Sequence, residues 1–288
     1  MINLAERKER VGNGVFFIAA TMSIVSLVLI IFFMFANGLP VMAKYGFDEF
    51  LFGTVWRPTA TEARFGLLPM IMGSIYVTLG AAVVGVPIGV LTAIFMADFC
   101  PPWLYKVLKP AVSLMASIPS IVYGFFALQF LVPFVRDNIG GNGYSMLTAM
   151  LLLAIMILPT IIELSEASLR AIPRSYYNAG VALGATHERT IFTVILPAAT
   201  SGVVSSVILG IGRAIGETMA VVLVAGNQPV VPDSLIRGVR TLTTNIVLEM
   251  SYASGDHRSG LIASGVVLFV FILLINSVFI IIKNKEAK

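Results

Sequence analysis

The stretch Gly202–Ala225 reads GVVSSVILGIGRAIGETMAVVLVA, and it is apolar or small-polar except for Arg213 and Glu217 near its middle. As a helix at about 1.5 Å per residue, it is long enough to cross a bilayer core of about 30 Å. A charge at the centre of a membrane helix costs roughly 2.5–3.5 kcal/mol on insertion scales, so it normally faces protein or a water-filled path. The stretch therefore predicts a membrane helix that carries two functional charges.

Similar apolar windows recur along the chain, which is 58% hydrophobic and 12% charged, against about 25% charged in soluble proteins. None of the windows alternates polar and apolar residues as the strands of a membrane barrel do. The composition predicts an all-α membrane protein with six transmembrane helices. The predicted spans are Val15–Ala36, Leu67–Ala97, Pro110–Val132, Tyr144–Ile162, Gly202–Ala225 and Leu261–Ile282.

The first window is longer than the apolar core of a signal peptide, roughly 7–15 residues, so we expect it to remain as a helix. The predicted organisation is a cytoplasmic N-terminal segment 1–14, a first helix 15–36, an external loop 37–66, a five-helix core 67–282 with a cytoplasmic loop 163–191, and a cytoplasmic tail 283–288.

Lys and Arg are more frequent in the predicted cytoplasmic segments than in the external ones, which favours both termini inside. The terminal basic residues in this count are Arg7, Lys8, Arg10, Lys283, Lys285 and Lys288. We therefore attribute the net charge of +4 to basic residues that orient the chain in the membrane and attract lipid headgroups, and not to nucleic-acid binding.

The sequence lacks the residues and motifs that disulfides, zinc sites and nucleotide hydrolysis require. Cys100 is the only cysteine, so the chain has neither an internal disulfide nor a thiolate zinc site. His187 and His257 fall on opposite sides of the membrane in the predicted topology. No Walker A loop, dinucleotide fingerprint or H-E-x-x-H string is present. We expect no catalytic residue, metal or cofactor in this chain, and no nucleotide hydrolysis by it.

The predicted cytoplasmic loop is expected to contain a short amphipathic helix, because Tyr176, Ala179 and Leu183 recur at helical spacing before Gly184 ends the pattern. Pro197 suits the first turn of the following helix. A helix of this kind either docks into a partner's groove or packs against its own chain, and the pattern alone leaves both interpretations open.

The segment 178–197 resembles the EAA loop of ABC-importer permeases, whose pattern is E-A-A, three residues, Gly, nine residues, then I-x-L-P. Here it reads Asn178-Ala179-Gly180, then Gly184, then Val194-Ile195-Leu196-Pro197. Asn178 replaces the leading Glu, and Gly180 replaces the second Ala. The resemblance implies that this loop is the coupling helix that sits in a cleft of a cytoplasmic ATPase.

The string Arg213-Ala214-Ile215-Gly216-Glu217-Thr218 resembles the R-A-x-G-E-T signature of phosphate ABC-transporter permeases, and its continuation Met219-Ala220-Val221 points to the PstC type. The resemblance implies a type I importer that assembles with a second permease of the PstA type, two ATP-binding subunits of the PstB type that bind ATP and Mg²⁺, and an external phosphate-binding protein of the PstS type. It implies a bacterial or archaeal cytoplasmic membrane. Systems of this family also report phosphate status to a membrane sensor kinase, and no residue here tests that role.

The residues support an anion pathway independently of the resemblance. Gly202, Ser206, Gly210, Arg213 and Glu217 fall on one helical stripe, and small residues there let a helix or a pathway approach the backbone closely. An arginine keeps its charge and offers two parallel donors to a tetrahedral oxyanion.

Glu217, one turn beyond Arg213, is expected to hold the guanidinium when phosphate is absent. Thr218 either contributes to the pathway or bonds its own helix. Three alternatives remain: a structural ion pair without a transport role, an importer of sulfate or molybdate, and a transporter or channel that needs no ATPase.

Overall fold

The computed structural model describes residues 4–286, with side chains described for residues 12–278, 280 and 281. Within these residues, six helices are long and apolar enough to cross a membrane. They cover Gly12–Tyr45, Leu68–Phe99, Ser120–Asn138, Met146–Arg170, His187–Gly216 and Gly255–Val278. The terminal basic residues used for orientation lie outside the described side chains, so the orientation stays a prediction.

The helices and strands follow in the order α1 Leu4–Tyr45, α2 Phe47–Phe52, β1 Trp56–Arg57, β2 Arg64–Phe65, α3 Leu68–Ile94, α4 Pro102–Ser117, α5 Ser120–Phe126, α6 Val132–Asn138, α7 Met146–Arg170, α8 Arg174–Ala182, α9 His187–Thr190, α10 Leu196–Gly216, α11 Met219–Val224, α12 Leu242–Glu249 and α13 Gly255–Glu286. Short π-helical turns at Phe95–Phe99, Ala127–Leu131 and Ile191–Ile195 continue α3, α5 and α9.

Helix α7 is the centre of the bundle and packs against both α3 and α10. Glycines on both neighbours allow this close approach. A Cβ at Gly89 of α3 or at Gly210 of α10 would lie 2.8 Å from the side chain of Ile161, and a Cβ at Gly85 of α3 would lie 2.8 Å from that of Ile157. Ile157 and Ile161 are themselves fully buried. The core of the fold therefore forms around one long apolar helix with small residues facing it.

The six predicted spans differ from the helices of the structure in their bounds, and the third predicted span is divided. The window Pro110–Val132 is not one helix, since Pro119 follows extended backbone at Ile118 and separates α4 from α5. A residue before proline disfavours helical backbone, which explains the break. The third span is instead Ser120–Asn138. The predicted cytoplasmic loop is also shorter at its start, because α7 continues to Arg170.

The predicted external loop 37–66 is largely ordered. Helix α1 extends through Pro40 to Tyr45, and the hairpin β1–β2 pairs Trp56 with Phe65. Phe50, Trp56, Phe65 and Leu67 are buried in one apolar cluster. Contact between α1 and α13 includes Gly38, where a Cβ would lie 3.0 Å from the backbone of Ala263.

Candidate functional site

The fifth membrane-spanning segment is a broken helix. Helix α10 ends at Gly216, Glu217 has extended backbone with φ −68° and ψ 133°, and α11 begins at Met219. The start of the fifth span also differs from the prediction. The span was predicted to begin at Gly202, but the helix runs without interruption from His187 to Gly216. Pro197 therefore lies just after a π turn inside this helix and does not begin it.

Arg213 lies near the middle of the bundle. Helices α7 and α10 are antiparallel partners, and Arg213 Nη1 donates a hydrogen bond to Thr160 Oγ1 of α7 at 3.2 Å. At about 1.5 Å per residue, Thr160 is about 15 Å from Arg170 and about 21 Å from Met146, the two ends of α7. The half-buried guanidinium is thus far from both ends of the central helix.

The prediction that Arg213 and Glu217 form an ion pair is wrong in this structure. Among the described residues, no salt bridge joins them. The cause is the helix break, since two side chains lie on one helical face only while the helix continues between them. The side-chain partner of Arg213 is instead the neutral hydroxyl of Thr160.

Glu217 caps the next helix. Its Oε1 accepts hydrogen bonds from the backbone N–H of Thr218 at 3.1 Å and of Ala220 at 3.2 Å. A carboxylate at a helix N-terminus satisfies free N–H groups and complements the helix dipole. Its backbone carbonyl accepts a hydrogen bond from Thr243 Oγ1 at 2.9 Å. The Thr218 hydroxyl donates to the carbonyl of Gly216 at 3.2 Å, one of the two roles foreseen for it.

The small-residue stripe packs against a helix. A Cβ at Gly202 would lie 2.3 Å from Ser168 Oγ, and one at Gly210 would lie 2.8 Å from Ile161. The Ser206 hydroxyl is hydrogen-bonded to that of Ser165 on α7. The stripe therefore fixes α10 on α7, and Arg213 follows at the end of this interface.

A groove of about 810 Å³ borders Arg213. It lies between α7, α10 and α13, and its polar lining includes Ser168, Ser205 and Asn276. On the adjoining face of α10, nothing within 4 Å would meet a Cβ at Gly212 or Gly216. The arginine therefore borders an open groove and is not sealed inside the chain.

The predicted coupling helix forms α8, and it packs on the bundle through its other face. Gly180 is buried against Thr190, where an added Cβ would lie 2.7 Å from the methyl group. Tyr176 is 50% exposed and Leu183 is 90% exposed. Gly184 ends the helix with φ +83°, a conformation that favours glycine at a helix C-terminus. Asn178 and Ala179 are exposed as well, so the apolar face points away from this chain.

Sequence reasoning missed a polar cluster beside the hairpin. The Glu249 carboxylate accepts hydrogen bonds from Trp56 Nε1 at 2.9 Å and Arg240 Nη1 at 2.6 Å, and it pairs with His257 Nε2 at 2.9 Å. Burial would raise the pKa of Glu249, but the three hydrogen-bonding partners outweigh it and hold the pKa below its usual value. Trp56 and Glu249 are 193 residues apart, and no local pattern could have joined them.

A second missed cluster lies at the carboxyl-terminal end of α7. The buried Glu166 carboxylate accepts hydrogen bonds from Tyr105 Oη at 2.6 Å, Lys109 Nζ at 2.8 Å and Arg170 Nε at 2.8 Å. The spacing of Glu166 and Arg170, four residues apart on a helix, is a signal that the sequence does contain.

A six-helix membrane bundle with a cation at mid-depth and an exposed amphipathic helix at one end is the architecture of a transport subunit that works with partners. The chain belongs to the family described as binding-protein-dependent transport system inner membrane component, which it matches over residues 85–285. It is a multi-pass membrane protein and a permease subunit of an ABC importer. Membership implies partners of three kinds: a second permease, ATPases and a binding protein.

Similar sequences carry related names. The chain is 39% identical over 92% of its length to the probable ABC transporter permease protein YqgH of Bacillus subtilis, of which it covers 88%. It is 34% identical to the phosphate transport system permease protein PstC of Mesorhizobium japonicum, over 84% of this chain and 80% of that one. It is also 34% identical to a probable PstC of Methanocaldococcus jannaschii, over 86% and 85%.

Solved structures share the fold. A chain of a bacterial alginate ABC transporter aligns with a TM-score of 0.65 at 13% identity, over 94% of both chains. A chain of the MetNI methionine ABC transporter in an inward-facing conformation aligns with a TM-score of 0.63 at 21% identity, over 77% of this chain and 96% of that one. These likenesses confirm the predicted ABC importer permease fold.

Proposed function

We propose that this chain is the PstC-type permease of an ATP-driven phosphate importer, and that it forms the phosphate pathway together with a second, PstA-type permease. The observation that carries the proposal is Arg213, a cation at mid-depth whose side-chain partner is a neutral hydroxyl. The R-A-x-G-E-T string around it and the names of the two PstC relatives support phosphate over sulfate or molybdate.

Arg213 suits passage of an anion because its charge is permanent and its planar donors match a tetrahedral oxyanion. The low polarity of the surrounding bundle strengthens the attraction between the two. A passing ion must also leave. Among the described residues that line the groove, Arg213 is the one cation, which suits a site that admits phosphate and also releases it.

Glu217 and Thr218 shape this pathway from the helix break. Free N–H groups at a helix N-terminus bind anions, but the carboxylate of Glu217 occupies those of Thr218 and Ala220. Phosphate is therefore directed to Arg213 and not trapped at the start of α11. The negative charge of Glu217 also shortens the time that phosphate spends beside it.

Coupling to ATP is assigned to α8, with Asn178 and Ala179 on its exposed surface, Gly180 against the bundle, and Gly184 at its end. Two PstB-type subunits bind ATP and Mg²⁺, and Tyr176 and Leu183 present apolar surface to the cleft of one of them. Pro197, beside the π turn of the same segment, allows the upstream part of the fifth helix to bend. This chain itself makes or breaks no bond in ATP or phosphate.

Both termini lie in the cytoplasm of a bacterium or archaeon in this proposal, and the membrane is the cytoplasmic one. The hairpin and the Glu249 cluster then face outward, where a PstS-type protein delivers phosphate. The ATPases favour one of two bundle states when they bind ATP, as coupling requires.

The test is uptake of labelled phosphate by the purified four-component complex in lipid vesicles. We expect ATP-dependent uptake that excess unlabelled phosphate suppresses and that equal concentrations of sulfate or molybdate leave unchanged. Stronger suppression by either competitor would assign another oxyanion. Uptake by this chain alone, without ATPases, would overturn the assignment to an ATP-driven importer.

A further inference from the structure

A small polar cavity lies where the coupling helix meets the bundle. It has a volume of about 110 Å³, and its lining comes from the π turn after α3, the end of α7, the start of α8 and the π turn before α10. The lining residues that matter here are Asp98, Arg170, Arg174 and Tyr177. The cavity therefore joins the segment that contacts the ATPases to the two central helices of the bundle.

One carboxylate oxygen in this cavity has no partner. Asp98 Oδ2 is buried and makes no hydrogen bond to any described residue. Leaving a charged acceptor buried without a donor is unfavourable, and such groups in native structures call for an explanation. Asp98 is thus an acceptor without a donor in this state of the molecule.

Other groups at this junction are already bonded. Arg170 donates to Glu166 and to the carbonyl of Met96. His187 bonds Tyr177 Oη at 2.9 Å and lies 3.3 Å from the backbone carbonyl of Asp98. The bonds of Arg170 and His187 thus fix the cavity walls.

Arg174 is different. It is the first residue of α8, it lines the cavity with Asp98, and no described residue forms a side-chain hydrogen bond or salt bridge with it. A cation on the coupling helix and an acceptor on the bundle therefore face one small cavity without being bonded.

We infer that Asp98 and Arg174 form a latch, an ion pair that is open in the state described here and closed in the other state of the transport cycle. The inference rests on the proposed coupling of α8 to ATPases. Movement of α8 into the cavity brings the guanidinium onto Asp98 Oδ2. The latch then links the position of α8 to the state of the bundle, so that ATPases bound to α8 interact differently with the two states, as coupling requires.

State-dependent cross-linking tests the latch. The pair Asp98→Cys and Arg174→Cys is made in a Cys100→Ser background and oxidised in the full complex, once without nucleotide and once with ATP and hydrolysis-deficient ATPase subunits. We expect the cross-link yield to differ between the two states by roughly fivefold or more, as coupling of typical strength would give. Equal yields in both states would overturn the latch.

The matched control is the pair Ser165→Cys and Ser206→Cys in the same background. These hydroxyls touch across the α7–α10 interface, so their cross-link should form equally in both states. The result does not depend on which anion is carried. A failed phosphate assay with a state-dependent cross-link would therefore reject the substrate alone and leave the latch supported.

A second measurement uses Asp98→Asn, Arg174→Gln and the double variant. Because neither side chain is bonded in the described state, we expect all three to assemble. Each single variant should lower the phosphate moved per ATP hydrolysed, and the double variant should be no worse than either, as for residues that act through one interaction. Additive losses in the double variant would contradict the latch.

Discussion

Two arginines of the central α7–α10 pair differ in what their donors contact. Arg170 donates to Glu166 Oε1 and to the Met96 carbonyl, both at 2.8 Å, and lies 4.5 Å from the centre of the Tyr105 ring. Arg213 donates to one neutral hydroxyl. An arginine whose donors are held by protein acceptors stabilises the fold, whereas one with donors to spare beside a groove can serve a passing anion. The contrast is in the partners and not in the residue type.

The largest effect is expected at Arg213. Arg213→Gln removes the charge and keeps an unbranched polar side chain at this position, so the complex should assemble. A hydrogen bond to a charged group is worth about 1.5–3 kcal/mol, so phosphate uptake should fall by about ten-fold to a hundred-fold. Initial uptake rates per assembled complex in vesicles measure this.

Arg213→Lys is the matched control for charge against geometry. It retains the cation and loses the planar fork, so it should transport at a rate between those of wild type and Arg213→Gln. Uptake at the wild-type rate in Arg213→Gln would remove Arg213 from the pathway, and the comparison with Arg170 would then lose its meaning.

The second effect is expected at Arg170 and is of a different kind. In Arg170→Gln, Glu166 keeps Tyr105 and Lys109 as donors, and the lost partner is itself half-exposed, so screening reduces the cost. We expect a loss of about 1–2 kcal/mol of stability, measured as earlier thermal unfolding of the purified complex. Uptake per intact complex should fall far less than in Arg213→Gln, and a loss of uptake as large as that of Arg213→Gln without a loss of stability would contradict a structural role.

The sequence alone predicts part of the fold and part of the candidate site. Apolar length predicts the six spans, and the cost of a membrane charge singles out Arg213. The break after Gly216 was not predicted, although glycine at a helix end followed by Thr218 is a recognised stop-and-start signal. The apolar pattern continues through Met219, and for that reason the sequence predicted one uninterrupted helix. The Glu249 cluster depends on contacts between distant segments, which no periodicity records.

The smallest effect is expected at Glu217, where the structure replaces an ion-pair role with a capping role. In Glu217→Gln, a side-chain oxygen remains to accept the N–H groups of Thr218 and Ala220, so stability should change little. Glu217→Ala removes the cap and should cost about 1 kcal/mol, measured by the midpoint of thermal unfolding. If Glu217 instead neutralised Arg213, both variants would lose uptake to the same extent, because Gln would abolish the pairing as fully as Ala. Equal and large losses of uptake in both variants would therefore restore the ion pair and remove the difference between Arg213 and Arg170.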